Sequence, residues 1–411
     1  MKYPVLFVSL LAIALPAHAK TLKVFILAGQ SNMQGHAKIE TFDYIGDDPA
    51  TAPLLKEMRS AAGSPIVCDN VWISSVGCLG DAYSDLTEKT GKLTAGFGAP
   101  DGKIGPEFTF GITMAKQLGE PILLIKTAWG GRSLHTDFRP PSAGPYKLSY
   151  FQEENYPKQE GHGIPPDFEK WKADKIKDTG VYYREMMKHI KHVLADPKRV
   201  CPAYDPKEGL EIAGFVWFQG FNDMVDGHVY PDPKQGDTTP RFAEYSSTLA
   251  ALIRDVRKEL AAPQMPFVIG VMGVDGKNPD ANMIAFRAAM AAPACMPEFK
   301  GNVTAIQTAP FWSEELGAID KKRESISQMG YFLNSKDKNH ANADGAMTEE
   351  QKQAYLKDFE AKTISPAEAA AWTRGASNAG YHYLGCSKTF ALIGKAFAEA
   401  NIAMMKPSAL K

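Results

Sequence analysis

Six short runs of nearly unbroken apolar, β-favouring residues are spaced along the chain, and they constrain its fold more than any other feature. They fall at 22–28 (LKVFILA), 71–76 (VWISSV), 121–127 (PILLIKT), 212–218 (IAGFVWF), 266–272 (PFVIGVM) and 303–308 (VTAIQT). A strand with one wet face alternates polar and apolar residues, whereas a strand covered on both faces does not. These runs therefore read as parallel strands buried beneath helices. The segments between them carry the helical period. Residues 107–118 follow Gly105-Pro106, with proline where a first helical turn tolerates it. Tyr183, Met187, Ile190 and Leu194 share a face near 181–195. Leu249, Leu252, Val256 and Leu260 do so within 241–261, and Phe390, Ile393, Phe397 and Ala400 within 386–404. The expected fold class is α/β, a three-layer, doubly wound, mainly parallel sheet of flavodoxin type. Residues 136–178 and 311–381 break the rhythm and read as long loop and helical insertions on a single domain covering 20–411.

Charge excludes some partners. The chain has 46 basic and 47 acidic side chains, a formal net charge of -1. That balance gives no reason to expect nucleic acid or an anionic membrane. Lys2, an apolar run at 5–15 and Ala17-His18-Ala19 together resemble a secretory signal peptide over 1–19, cleaved after Ala19. The run is short for a bilayer span, so the mature protein is expected to be secreted or periplasmic, without membrane insertion. Of five cysteines, Cys68 and Cys78 are the easiest disulfide pair, and the odd number leaves at least one unbridged. No C-x-x-C spacing is present, His189 and His192 read as a solvated helix face, and 337–350 does not match a calcium loop. Neither a metal nor a cofactor is expected.

Three strand ends carry polar turns. The first run ends in Ala28-Gly29-Gln30-Ser31-Asn32-Met33-Gln34-Gly35. In open α/β sheets ligands sit beyond the carboxyl ends of the strands. A serine opening a helix there can expose its hydroxyl and aim its backbone N–H at a developing oxyanion; it can also be a simple helix cap. The third run leads to Ala128-Trp129-Gly130-Gly131-Arg132-Ser133, where paired glycines allow close backbone approach. The fourth leads to Gln219-Gly220-Phe221-Asn222-Asp223, whose amide side chains can donate without carrying charge. A nucleophilic serine needs a base. His340 and His382 are the candidates, and His382 immediately precedes the last helix.

In this order, Gly29-Gln30-Ser31-Asn32-Met33, Gly105-Pro106-Glu107-Phe108, Ala128-Trp129-Gly130-Gly131, Trp217-x-Gln219-Gly220-x-Asn222-Asp223 and a histidine before the final helix resemble the blocks of the sialate O-acetylesterase-like family of SGNH hydrolases, which includes carbohydrate esterase family six. The resemblance implies a serine esterase removing acetyl groups from sugars, on acetylated polysaccharide such as xylan or on acetylated sialic acid. It implies Ser31 as nucleophile and His382 as base. The Ser31 N–H, a backbone N–H of Gly130 or Gly131, and the Asn222 side chain would form the oxyanion hole. Gln30, Gln219, Arg132 and Trp129 would contact substrate. Aromatics around the first insertion (Trp129, Tyr146, Tyr150, Phe151, Tyr156 and Trp171) would shape the sugar cleft. Two departures stand out. Phe221 replaces the family's usual glutamate, and Ala379 stands where D-x-x-H would put the aspartate before His382. The literal D-x-x-H is Asp337-Lys338-Asn339-His340, so either His382 works as a dyad oriented by a carbonyl or by a carboxylate from elsewhere such as Asp337, or His340 with Asp337 is the true pair. An unperturbed imidazole would put the acid limb of activity near the ordinary histidine pKa of about 6.5.

Overall fold

The computed structural model describes residues 21–78, 86–100 and 102–405. Seven strands form one sheet: β1 (Leu22–Gly29), β2 (Val71–Val76), β3 (Lys89–Lys92), β4 (Ile122–Ala128), β5 (Leu210–Phe218), β6 (Phe267–Val271) and β7 (Val303–Gln307). Their order is β3-β2-β4-β1-β5-β6-β7. Every pair is parallel except β2 with β3. The six apolar runs are the six parallel strands, as expected of a mostly parallel α/β sheet. The strand β3 has the sequence KTGK and no apolar face, so periodicity had no purchase on it. Its lysines suit an outer strand, where charge discourages further pairing.

Alternation along β5 shows how both faces are covered. Gly214 lies against Asn401, and Phe218 packs edge-on against Phe397, both on the C-terminal helix Ser387–Met405. Trp217, one position out of phase, points to the opposite face and meets Phe138 at 5.1 Å. Helix Glu107–Leu118 lies beside the C-terminal helix. Their approach is close enough that a Cβ at Gly394 would sit 2.1 Å from the Pro106 carbonyl oxygen. The other face carries helices Val181–Ala195, Ala243–Glu259 and Ala281–Ala291. Tyr182 packs there on Trp129, and Tyr245 on Phe286.

The first irregular stretch holds helices Tyr150–Asn155 and Phe168–Asp178, capped by Ser149 and Asp167. The second holds Glu314–Ser335, Glu349–Thr363 and Pro366–Gly375. Thr348 and Ser365 close capping boxes on the last two, satisfying end N–H groups that burial does not protect. The signal-like segment 1–19 lies outside the described residues. Among the described residues no helix is long and apolar enough to cross a membrane.

The Cys68–Cys78 pairing is corrected. All five cysteines are free thiols. Cys68 precedes β2 and Cys78 follows it. A six-residue strand rises roughly 20 Å, far beyond disulfide reach.

Within the core, Lys126 of β4 and Glu107 form an ion pair of 2.7 Å in which neither side chain is exposed. The Lys126 ammonium also donates to the Gln34 and Phe97 carbonyls, at 2.7 Å each. The second Glu107 oxygen accepts the Gly105 N–H at 2.9 Å. The Gly-Pro-Glu segment is thereby tied to β4 and to the turn after β1. Lys126→Met would leave a buried carboxylate and two carbonyls unpaired. It should cost about 3–5 kcal/mol, read from the denaturant midpoint. A loss below about 1 kcal/mol would show that the pair is not what holds this junction.

Candidate active site

Strand order creates the site's frame. Strand β1 lies between β4 and β5, with Gly29 level with Ala128 and Phe218. The three polar turns named from sequence therefore emerge side by side at the sheet's carboxyl edge. Gly29 (φ 156°) must be glycine, since a Cβ there would sit 2.1 Å from the Phe218 carbonyl oxygen. Ser31 then opens a helix of four residues, Ser31–Gln34. So short a helix has little macrodipole. It offers individual N–H groups instead. Ser31 is buried, with 8% exposure, and among the described residues nothing hydrogen-bonds its hydroxyl. The backbone N–H groups of Ser31, Gly130 and Gly131 likewise have no acceptor there.

The amide orientations follow from the backbone. The Gly220 N–H can only donate, and it donates at 3.0 Å to Gln30 Oε1. That fixes the other end of Gln30 as the NH₂, which donates to Asn222 Oδ1 at 2.8 Å. Asn222 must then present its own NH₂ away from Gln30, and among the described residues that group is unengaged. Gln219 donates to Gln30 Oε1, to the Arg132 carbonyl and to Asp223. Expected to contact substrate, Gln30 and Gln219 are each 2% exposed and instead orient other groups.

Asp223, part of a motif quoted from sequence but given no role there, is the hub. Buried with 1% exposure, it accepts the Leu134 N–H at 2.8 Å, the His135 N–H at 2.9 Å, Gln219 and the Tyr230 hydroxyl. Burial pushes its carboxyl up to about 6, against the pull of these donors. It ties the loop after Gly131 to the turn after β5.

The segment carrying His382 lies against the first turn along a strained path. Asn32 donates its side-chain N–H to the Tyr381 carbonyl at 3.1 Å, docking this segment on the first turn. Tyr383 (φ 51°), Leu384 (φ 60°) and Gly385 (φ 57°) are consecutive left-handed residues. Two of them carry side chains, at a cost of about 1–3 kcal/mol each. The buried Tyr383 offsets it: its hydroxyl accepts the Gly273 N–H at 2.7 Å and bonds Thr308 Oγ1 at 2.6 Å, over the ends of β6 and β7.

The residue at His382 Nδ1 is Asn378, at 2.9 Å, and not Asp337. Asn378 Oδ1 also accepts the Ala379 N–H at 2.8 Å, which identifies that atom as the oxygen. The His382 proton therefore sits on Nδ1, leaving Nε2 a bare lone pair. The sequence expectation examined position i−3, whereas the partner is an amide at i−4. His36, set aside as a loop residue, stacks on His382 with centroids 3.8 Å apart and rings 4° from parallel. Burial, then Lys103, holds His382 at about 4. The expected histidine range near 6.5 is thus corrected downward. Asp337 and His340 bond each other at 2.7 Å, and His340 stacks on Phe332. Neither is hydrogen-bonded to Ser31 or His382, and Ser31 and His382 are not hydrogen-bonded to each other.

Other expected contacts sort themselves by burial. Trp129 is 1% exposed, packed against Phe138 and Tyr182, and presents no ring face to a ligand. Arg132 lies 4.2 Å over the Tyr182 ring and 3.5 Å from Asp137. A cavity of about 390 Å³ opens beside Gly131 and Asn222, with Arg132, Tyr146, Tyr156 and Trp171 in its lining. Tyr150 and Phe151 are engaged elsewhere, with the Asp232 carbonyl and the His228 ring. Among the described residues no His/Cys/Asp/Glu cluster is arranged to hold a metal ion.

The family model for carbohydrate esterase, sialic acid-specific acetylesterase, matches residues 21–153 and 161–308, and the chain belongs to that family. No curated protein matches the sequence. Among solved structures, the chain is similar to an Arabidopsis thaliana protein determined at 1.6 Å, with 17% identity, TM-score 0.37, 70% of this chain and 85% of that one. It is also similar to a carbohydrate acetylesterase from Xanthomonas citri, with 12% identity, TM-score 0.37, 69% of this chain and 49% of that one.

The His36–His382 stack makes a spectroscopic prediction. Burial disfavours imidazolium, so His382 should stay neutral in an NMR titration until about pH 4. Removing the covering ring with His36→Ala admits water and should move the midpoint up towards about 6.5, whereas His36→Phe should keep it low. A wild-type midpoint already at the free value would contradict this.

Proposed function

We propose that this protein is a serine esterase that removes O-acetyl groups from carbohydrate through an acyl-enzyme on Ser31. The observation carrying the reading is a set of N–H groups without protein acceptors around an unengaged serine hydroxyl: those of Ser31, Gly130 or Gly131, and Asn222. Donors held in place without a protein acceptor are open to a ligand oxygen.

In this mechanism His382 Nε2 takes the Ser31 proton as Oγ attacks the acetyl carbonyl. The carbonyl oxygen becomes an oxyanion held by those N–H groups. As the tetrahedral adduct collapses, His382 returns the proton to the departing sugar oxygen, leaving acetyl-Ser31. A water molecule, deprotonated by the same nitrogen, then attacks the acetyl carbon; the C–Oγ bond breaks, His382 returns that proton to Ser31 Oγ, and acetate leaves. Asn378 keeps the proton on Nδ1 throughout. Being neutral, it stabilises the imidazolium less than a carboxylate would. Acetylated polysaccharide such as xylan and acetylated sialic acid both present the required ester.

The test is acetate release from acetylated xylan and from an aryl acetate. Ser31→Ala should lower kcat on the order of 10³-fold or more. Asn222→Ala should lower it about 10²–10³-fold with KM little changed, as for loss of one oxyanion donor. Rates unaffected by Ser31→Ala would reject the mechanism and favour a carbohydrate-binding relative without catalysis. The acid limb of kcat/KM should lie near pH 4, since protonated His382 cannot accept the serine proton.

A further inference from the structure

The sequence left open whether the sugar is neutral, as in xylan, or anionic, as in sialic acid. We propose that the cavity beside Asn222 and Gly131 is the sugar subsite, and that it accepts an uncharged glycosyl unit in preference to one bearing a carboxylate. This inference rests on the esterase reading and deepens it.

Position comes first. Gly131 and Asn222, two of the groups assigned to the oxyanion, line the cavity itself. Ser31 and His382 are not in its lining, so the scissile oxygen would stay beside His382 while the rest of the glycosyl unit extends past the oxyanion donors into the cavity. Its volume of about 390 Å³ is within the range of small-ligand sites. Trp171 packs edge-to-face on both Tyr146 and Tyr156, and the three aromatics bound one side of the cavity.

Charge decides what fits there. Four carboxylates, Asp137, Asp178, Asp223 and Asp226, share the lining with two cations, Arg132 and Lys175. Arg132 is already matched by Asp137 and stacked on Tyr182. What remains is Lys175, with Lys147 acting beside it on His135, against Asp178, Asp223 and Asp226. His135 also lines the cavity, but burial lowers it to about 3, so it adds no positive charge at neutral pH. Behind it, Glu244 is taken by Arg139 at 3.1 Å. The unbalanced charge of the subsite is thus negative. The exposed Asp178 and Asp226 can accept from sugar hydroxyls, whereas a carboxylate on the sugar would meet like charge there. A subsite of this charge would differ from the sialic acid preference in the family's description.

A matched pair tests the proposal: methyl glucoside and methyl glucuronide, each O-acetylated at the same ring position. At low ionic strength kcat/KM should favour the glucoside by about tenfold or more, and added salt should shrink the ratio. Asp178→Asn combined with Asp226→Asn should narrow it further. Equal rates, a preference for the glucuronide, or a ratio indifferent to both substitutions would overturn the proposal. Aryl acetate hydrolysis reports separately on the esterase reading. Binding of the two unacetylated glycosides to the Ser31→Ala protein, followed by ligand NMR, reads the charge preference even without turnover. There the glucoside should again bind more tightly, and equal binding would count against the proposal.

Discussion

The Asp223 carboxylate, sealed between two strand-end turns, is the interaction on which the site's geometry depends. Its oxygens gather two successive backbone N–H groups from the loop after Gly131, the Gln219 amide and the Tyr230 hydroxyl. Gln219 passes that order to Gln30, and Gln30 to Asn222. Each amide is oriented by its neighbour, and the chain is anchored where the Gly220 N–H admits only an oxygen. A rotamer change anywhere along it would reverse the direction in which Asn222 presents its NH₂. For the proposed reaction such preorganisation would cost nothing, because the donors are already placed. On the other side of β1, the Lys126–Glu107 pair performs a similar service for the turn after Ser31.

How much of this could be read from the chain depends on what each residue signals by itself. The parallel strands were legible because burial on both faces removes polar alternation, and β3 was not because KTGK carries no such signature. The places of Ser31, Gly130, Gly131, Asn222 and His382 beside strand ends or before the last helix were legible from their order along the chain. Gln30, Gln219 and Trp129 sit at the same edge but are buried. Motif position says that a side chain is near the site, but only packing says whether it faces inward. Asn378 and His36 escaped for a related reason. A partner at i−4 in an irregular segment, or a ring stacked from another loop, leaves no spacing to detect. The Cys68–Cys78 expectation failed because closeness in sequence ignores an extended strand lying between.

The segment around His382 shows where the fold stores strain. Two non-glycine residues in left-handed conformation persist because the Tyr383 hydroxyl is bonded at the sheet's edge and its ring is buried. Strain of this kind holds an imidazole rigidly where a relaxed loop would let it wander. The substitution of an amide for the family's carboxylate fits the same environment. Beside a stacked second histidine and two lysines acting on that pair, the imidazole is kept neutral by burial, and a neutral carbonyl is enough to fix its tautomer.

Covalent labelling tests the central claim most directly. A fluorophosphonate reacts only with a serine whose hydroxyl is activated by a base and whose adduct oxygen finds an oxyanion hole. Peptide mapping by mass spectrometry should find the phosphonyl group on Ser31 alone, and His382→Ala should prevent its attachment while His340→Ala should not. An active protein labelled on another residue, or labelled on Ser31 just as fast without His382, would contradict the account.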